Sequence, residues 1–271
     1  MKLTEAYKIL SDEGIEDAKW EARMLFSEIG GIPTASLIGC DAECDSPALK
    51  DAIRKRAKRE PLQYILGYAD FYRERYTVTP DVLIPRQDTE ILVDYAVKSL
   101  KDGATFLDLC TGSGCIAIST LKNTKNTRAT LVDISPRALD VARENAKANG
   151  VSPRAEFTLA NVLEKKIDGE FDAILSNPPY VTEKSYETLS PEIYFEPRIA
   201  FVGGGDDGAS FYERITELYH RSLTDGGFIA FEIGFDQKEA IENIAKRYGM
   251  TCEVTKDLGG NYRLAVLKNA K

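Results

Sequence analysis

Histidine is almost missing from this chain of 271 residues, which has only His220. With it goes most of the usual equipment for proton transfer near neutral pH and for binding transition metals. His220 lies in the helix-like FYERITELYHRSL and is read as an ordinary helix-end residue. Cysteines are few. Of the five, Cys40 and Cys44 are separated by three residues, Cys110 and Cys115 by four, and Cys252 stands alone. No Cys/His ligand set surrounds them, so neither a metal site nor a disulfide framework is expected. No apolar run is long enough to cross a bilayer, and MKLTEAYKILSDEG has acidic residues where a secretion signal needs an apolar core. The chain is therefore expected in the cytoplasm. Positive charge is lacking too: a formal net charge of -8 argues against a polyanionic nucleic acid as the main partner.

What is present is an ordinary globular composition, 43% hydrophobic, written in two successive grammars. Residues 1–67 contain no strand-like run and show helical spacing in LTEAYKIL, AKWEARMLFSEI and SPALKDAIRKRAKRE, broken by Gly14, Gly30-Gly31-Ile32-Pro33 and Pro61. That predicts a small all-α bundle. Residues 68–88, YADFYRERYTVTPDVLIPRQD, suggest a β-hairpin or extended connector. From residue 89 to 271 helical and strand patterns alternate, as in βαβ units with a parallel sheet, and the last two runs, TCEVTKDL and NYRLAVLK, lie close enough to pair antiparallel. One basic cluster, Arg54, Lys55, Arg56, Lys58 and Arg59, is read as a solvated helix face, with docking to an acidic protein or to ribosomal RNA as the functional alternatives.

The turn after the first strand of the α/β region, LDLCTGSGCIAI, carries a cofactor signal. Gly112 and Gly114 let the backbone approach a ligand, and a helix beginning near Ser113 would turn its free N–H groups toward it. The third glycine of a dinucleotide fingerprint is absent. Asp108, just ahead of the loop, would repel a pyrophosphate but could hold a cationic amino group, directly or through water. The next strand closes with Asp133, where an acidic residue reaches ribose hydroxyls in doubly wound folds. Adenosine with a methionine tail satisfies both demands, whereas a glycine turn with a capping Asp would account for either piece alone.

A second signal is FDAILSNPPYV. Phe171 to Leu175 read as a strand covered on both faces, but Asn177-Pro178-Pro179-Tyr180 ends it abruptly. Two prolines lack N–H groups and fix φ, leaving outward carbonyls in a stiff, unpaired arrangement. By itself this is a rigid strand-terminating turn with Tyr180 packed on the rim as readily as it is a holding site.

These stretches, with EPRIAFVGGGDDGASFYERI and PLQYILGYADFYRERYTVTPDVLIPRQDTE, resemble the HemK/PrmC family of protein-(glutamine-N5) methyltransferases, which modify peptide chain release factors. The resemblance spans nearly the whole chain. It implies a Rossmann-like S-adenosylmethionine-dependent methyltransferase domain, with a mostly parallel sheet and an antiparallel final strand, preceded by the helical bundle as a substrate-docking domain. The cofactor, S-adenosyl-L-methionine, is expected against Asp108, Cys110, Thr111, Gly112, Ser113, Gly114, Asp133, Ile134, Asn161, Val162 and Asn177. Asn161 replaces an Asp usual in the family, so an amide contact to adenine is expected; Val162 stands where relatives can be aromatic. PRQDTE varies the commoner PRPETE, and Asp88 keeps the charge.

For catalysis the resemblance points to Asn177, Pro178 and Tyr180, and for substrate binding to Asn177 to Tyr180 with Glu196, Pro197 and Arg198. An amide nitrogen is a poor nucleophile and must be aimed: the Asn177 side-chain oxygen and the Pro178 carbonyl would accept its two N–H bonds, and no strong base is needed. The expected partners are release factors, met by a monomer, with no membrane and nucleic acid an unlikely substrate. The rivals are a glutamine methyltransferase of a large-subunit ribosomal protein, an N6-adenine methyltransferase of DNA or RNA, whose NH2 suits the same two acceptors, and a non-catalytic S-adenosylmethionine-binding module.

Overall fold

The helical spacing at the start of the chain folds into α1 (Leu3–Asp12), α2 (Ala18–Glu28), α3 (Pro47–Ala57) and the short α4 (Leu62–Leu66). The computed structural model describes residues 1–205 and 207–270. Ser46 caps α3 by accepting from the Leu49 N–H at 3.3 Å, with Pro47 in the first turn. Apolar residues at helical spacing, among them Leu10, Leu25, Phe26, Leu49 and Ile53, are fully buried and form the core of this unit. Each such side chain is worth about 1.5–3 kcal/mol of burial.

This unit comprises Met1–Tyr68 and also takes in Ser190–Phe195 from far along the chain. The link is ionic. Arg56 donates to Glu21 from Nε at 2.5 Å and from Nη2 at 3.1 Å, and from Nη1 to Glu192 at 3.1 Å. Arg59 reaches Glu192 at 2.8 Å and the carbonyls of Glu13 and Gly14 at 3.2 and 2.9 Å. The basic cluster is therefore not the uniform solvated face expected of it. Arg54 and Lys55 do lie outside, each 3.4 Å from Asp51, but the Arg56 side chain is only 7% exposed. Helical periodicity places Arg56 on the inner face, and only the folded partners make its charge tolerable there. Arg56→Ala would leave the Glu21 charge buried and unpaired, so it should lower stability by about 3–5 kcal/mol in chemical denaturation. A loss within experimental scatter would mean that water already solvates the pair.

The connector forms a two-stranded sheet, β1 (Tyr68–Phe71) and β2 (Glu74–Thr77), turned through Tyr72 and Arg73, both at positive φ. The rest of the second unit is a layered α/β structure: α5 (Glu90–Ser99), β3 (Thr105–Leu109), α6 (Cys115–Asn123), β4 (Arg128–Asp133), α7 (Pro136–Ala148), β5 (Ala155–Leu159), β6 (Phe171–Ser176), α8 (Glu183–Tyr186), α9 (Ser210–Tyr219), β7 (Leu223–Glu232), α10 (Lys238–Arg247), β8 (Met250–Lys256) and β9 (Tyr262–Asn269). The seven strands run in the order β5-β4-β3-β6-β7-β9-β8, with the first five parallel and β9 antiparallel to both its neighbours. Alternate residues of each strand face opposite layers. Phe106, Leu131 and Leu175 pack with α5, α6 and α7, while Leu107, Val132 and Ile174 pack with α9 and α10.

Candidate active site

The strand order locates the site. From β3 the chain winds outward through β4 to β5, then returns to lay β6 on the other side of β3 and continues to β7. A crevice opens at the carboxyl ends of the strands where the winding reverses, the usual place for a ligand in open α/β sheets. In the β3–β6 register Leu109 pairs with Ser176, and the Ser176 hydroxyl donates to the Leu109 carbonyl at 2.6 Å. The next residues on each strand, Cys110 and Asn177, therefore leave the sheet side by side. Two signals far apart in sequence, the glycine loop and the proline turn, become neighbours through one register.

The glycine loop takes three left-handed residues, Cys110 (φ 60°), Gly112 (φ 53°) and Gly114 (φ 81°). The two glycines are there for different reasons. A Cβ on Gly112 would meet nothing within 4 Å, so that backbone faces open space. A Cβ on Gly114 would meet Ile118 at 2.9 Å, Ala142 at 3.2 Å and Leu131 at 3.3 Å, so Gly114 serves the packing of α6 against the sheet as well as the turn. Asp133 steadies the loop: Oδ2 accepts from the Gly112 N–H and Oδ1 from the Ser135 N–H, both at 2.9 Å. Asn145 of α7, which no sequence signal marked, is fully buried and ties the loop to the connector, donating to the Ser113 and Thr77 carbonyls at 2.9 and 3.0 Å and accepting from the Thr77 N–H at 2.7 Å.

A cavity of about 220 Å³ fills the crevice. Of the expected cofactor residues, Cys110, Gly112, Asp133, Ile134, Asn161, Val162 and Asn177 line it, together with Pro179 and Pro197. Asp108, Thr111, Ser113 and Gly114 lie behind this wall, all buried. Asn161 has its Oδ1 taken by the Leu163 N–H at 3.0 Å, so what it offers the cavity is an N–H donor. Sequence reasoning missed Asp81, Val82 and Leu83 of the connector, which also line the cavity. The apolar run VLIPR was the available signal.

The PrmC N-terminal domain family matches residues 2–67, and the methyltransferase small domain family residues 87–194. A release factor glutamine methyltransferase of Geobacter sulfurreducens is 36% identical over 93% of this chain and 89% of its own length, and one of Agrobacterium fabrum is 34% identical over 98% and 96%. The chain belongs to the release factor glutamine methyltransferase family. A methyltransferase from Pyrococcus furiosus, 19% identical, shares the fold with a TM-score of 0.54 over 72% of this chain and 89% of its own.

The cofactor of such a methyltransferase is S-adenosylmethionine, and the residues present fit it. Asp133 stands at the end of β4 on the cavity wall, its carboxylate held by the backbone N–H groups of Gly112, Ser135 and Ile134 with acceptor capacity left for a ribose hydroxyl. Asp108 has no solvent exposure. Its Oδ2 accepts from the Thr111 hydroxyl at 2.6 Å and the Ala117 N–H at 3.2 Å, but its Oδ1 has no partner among the described residues. A cationic amino group, reached directly or through a water, would satisfy that orphan acceptor.

Burial pushes the Asp108 carboxyl up to about 7, against the bonds from Thr111 and Ala117. The folded value lies above the unfolded one, so the free protein loses this contribution as pH rises toward 7, and a bound cation opposes that loss. Cofactor affinity should accordingly fall as pH drops below about 7, with proton release on binding near neutrality. Calorimetry in buffers of different ionisation enthalpy reads this directly, and a pH-independent affinity between 5.5 and 8, roughly spanning that window, would show that Asp108 is already ionised or plays no part.

Past β6, the proline turn is held by its backbone. The Val181 N–H donates to the Phe201 carbonyl at 2.8 Å, the Gly203 N–H to Val181 at 3.1 Å, and Gln237 Nε2 to the Tyr180 carbonyl at 3.1 Å. Gly203 and Gly208 approach so closely that a Cβ would lie 2.3 Å from the Pro179 oxygen or 2.1 Å from the Tyr180 oxygen. The glycines after EPR are thus spacers behind the turn. A smaller cavity of about 70 Å³ lies between Asn177, Tyr180, Val181, Phe201, Arg86 and Glu232. Of the expected substrate residues, Pro178, Glu196 and Arg198 line neither cavity, and Pro178 is buried. Glu196 is a buried brace that accepts from the Ile84 N–H at 2.9 Å and pairs with Arg86. Arg198 points outward, paired with Glu183 and over the Tyr186 ring.

Proposed function

We propose that this protein transfers a methyl group from S-adenosylmethionine to the side-chain amide nitrogen of a glutamine in a peptide chain release factor, the one in the Gly-Gly-Gln tripeptide. The observation that carries this reading is that Asn177 lies on the wall of both cavities. The larger has the carboxylate and backbone expected for the cofactor. The smaller, bounded by Tyr180 and Phe201, suits a planar carboxamide.

When bound, the cofactor supplies an electrophilic methyl group on a sulfonium. The chain's own part is to aim the acceptor. Asn177 Oδ1 and the Pro178 carbonyl accept the two N–H bonds of the glutamine amide, directing the nitrogen lone pair at the larger cavity. As the N–C bond forms and the electron pair of the broken C–S bond stays on sulfur, the nitrogen becomes positive and both hydrogen bonds strengthen, which favours the transition state over the ground state. The proton then leaves an acidic N-protonated amide for nearby oxygen or water. Rigid prolines remove disorder that the site would otherwise have to lose, and positioning of this kind is worth up to about 7–11 kcal/mol.

The helical unit, which contributes none of these residues, is the docking surface in this reading, and the location is the cytoplasm, where release factors meet the ribosome. Nucleic acid is disfavoured by the net charge and by the burial of Arg56 inside an ion cluster. Labelled S-adenosylmethionine offered in parallel to release factors, ribosomal proteins, DNA and RNA, with the labelled residue mapped by mass spectrometry, tests the reading. Label on adenine, or on a ribosomal protein alone, would replace it.

A further inference from the structure

Behind Asn177 stands a buried chain of polar side chains contributed by distant parts of the sequence. Glu232, the last residue of β7, is 3% exposed; its Oε2 accepts from the Thr89 hydroxyl at 2.5 Å and its Oε1 from the Tyr180 hydroxyl at 3.2 Å. Thr89, 2% exposed, in turn accepts from Asn177 Nδ2 at 3.4 Å. The groups packed around the carboxylate are Arg263, which also pairs with Asp88 and Asp257 at 3.2 Å, and Tyr212, whose hydroxyl donates to the Glu232 backbone carbonyl. Burial pushes the Glu232 carboxyl upward, and the Thr89 and Tyr180 hydrogen bonds and the Arg263 charge oppose this.

The direction of the chain follows from donor counting. Glu232 Oε2 accepts from the Thr89 hydroxyl, so the single proton of that hydroxyl is committed to Glu232. What Thr89 has left for its other neighbour is a lone pair. Asn177 must then turn its NH2 toward Thr89, and its Oδ1 is left for the other side, on the wall between the two cavities. A carboxamide has nearly the same shape in either orientation, so without this constraint packing alone would scarcely decide which atom faces a substrate.

We propose that Thr89 and Glu232 are positioning residues that set the Asn177 carboxamide so that it offers the substrate an oxygen acceptor and not an N–H donor. The same carboxylate holds Tyr180 directly, so one buried charge orients two of the residues facing the acceptor pocket. It thereby selects a glutamine, which has N–H groups to give, over a glutamate, which has none. This rests on the proposed glutamine methylation and assigns the specificity of that site.

The test uses the full-length enzyme, an intact release factor, and the same factor with its glutamine replaced by glutamate. Glu232→Gln keeps the shape but frees the Thr89 proton, and Thr89→Val keeps the shape but removes the relay. Both should lower kcat by about 10²-fold, as for a misplaced reacting group, with S-adenosylmethionine affinity unchanged. Thr89→Ser should recover most of the rate lost in Thr89→Val. The discriminating readout is binding: Glu232→Gln should shift the ratio of affinities for the two factors toward the glutamate form, because Asn177 is then free to turn its NH2 to the pocket. A merely structural role would weaken both forms in proportion. Cofactor binding reports that each variant is folded, and should Thr89→Val fail that check, Glu232→Gln decides alone. If wild type methylates the factor but Glu232→Gln keeps the wild-type rate and affinity ratio, the inference is wrong and the function stands. If wild type leaves the factor unlabelled, the proposed function falls and takes the inference with it.

Discussion

A release factor carrying glutamate in place of the Gly-Gly-Gln glutamine should go unmethylated, at a rate at least about 10⁴-fold below the natural factor, the discrimination typical of a site built to bind N–H groups that the analogue lacks. Glutamate removes both amide protons and sets a charge against Asn177 Oδ1 and the Pro178 carbonyl, two acceptors with nothing left to accept. The donors that line the smaller cavity are already engaged in part: the Tyr180 hydroxyl donates to Glu232, and Arg86 pairs with Glu196 through Nη2. The loss has two parts that can be measured separately. Binding of the glutamate factor should weaken, and any methyl that does transfer would form an ester on oxygen, a base-labile product that mass spectrometry distinguishes from an N-methyl amide. Ester formation at a rate near that of the natural reaction would show that the site aims a side chain without reading its protons.

Asn177→Ala should lower turnover by about 10²–10³-fold, the cost of removing one preorganised hydrogen-bond partner from a developing charge. The protein should nevertheless fold. Asn177 lies one residue beyond β6 and is half-buried, and the turn it occupies is held by bonds that do not use the Asn177 side chain: the Ser176 hydroxyl to the Leu109 carbonyl, the Val181 N–H to the Phe201 carbonyl, and Gln237 Nε2 to the Tyr180 carbonyl. Cofactor affinity should change much less than kcat, since Asp133 and the glycine loop remain, although Asn177 does touch the larger cavity. Single-turnover measurements with saturating cofactor isolate the transfer step. Near-normal turnover there would remove Asn177 from the clamp and leave the Pro178 carbonyl to do the work unaided.

The parts of this protein legible from sequence were those with local grammar. Alternation of apolar runs and helical periods specified a parallel α/β sheet, because burial on two faces imposes the same pattern wherever the strand sits. Asp133 and Asn177 could be named because strand-end carboxylates, glycine turns and paired prolines act through their own backbone geometry. Gly112 lines the cavity, whereas Gly114 looks the same in sequence and packs against the core, since the difference lies in the neighbours, Ile118, Ala142 and Leu131, that the fold brings to it.

Tertiary structure alone decided the fate of the charges. Arg56 and Arg59 read as surface, yet meet Glu192 from far along the chain. Glu196 and Arg198, adjacent but for one proline, part company: one is buried as a brace for the connector and the other faces solvent. Glu232 carries no motif and Thr89, though it sits in PRQDTE, had no role assigned to it; their connection to Asn177 exists only because β6 and β7 are parallel neighbours whose ends coincide, with Ser176 beside Phe231. A charge is expensive to bury unless a partner is waiting. Which partner waits is set by strand order and register, and neither is written at any one place in the chain.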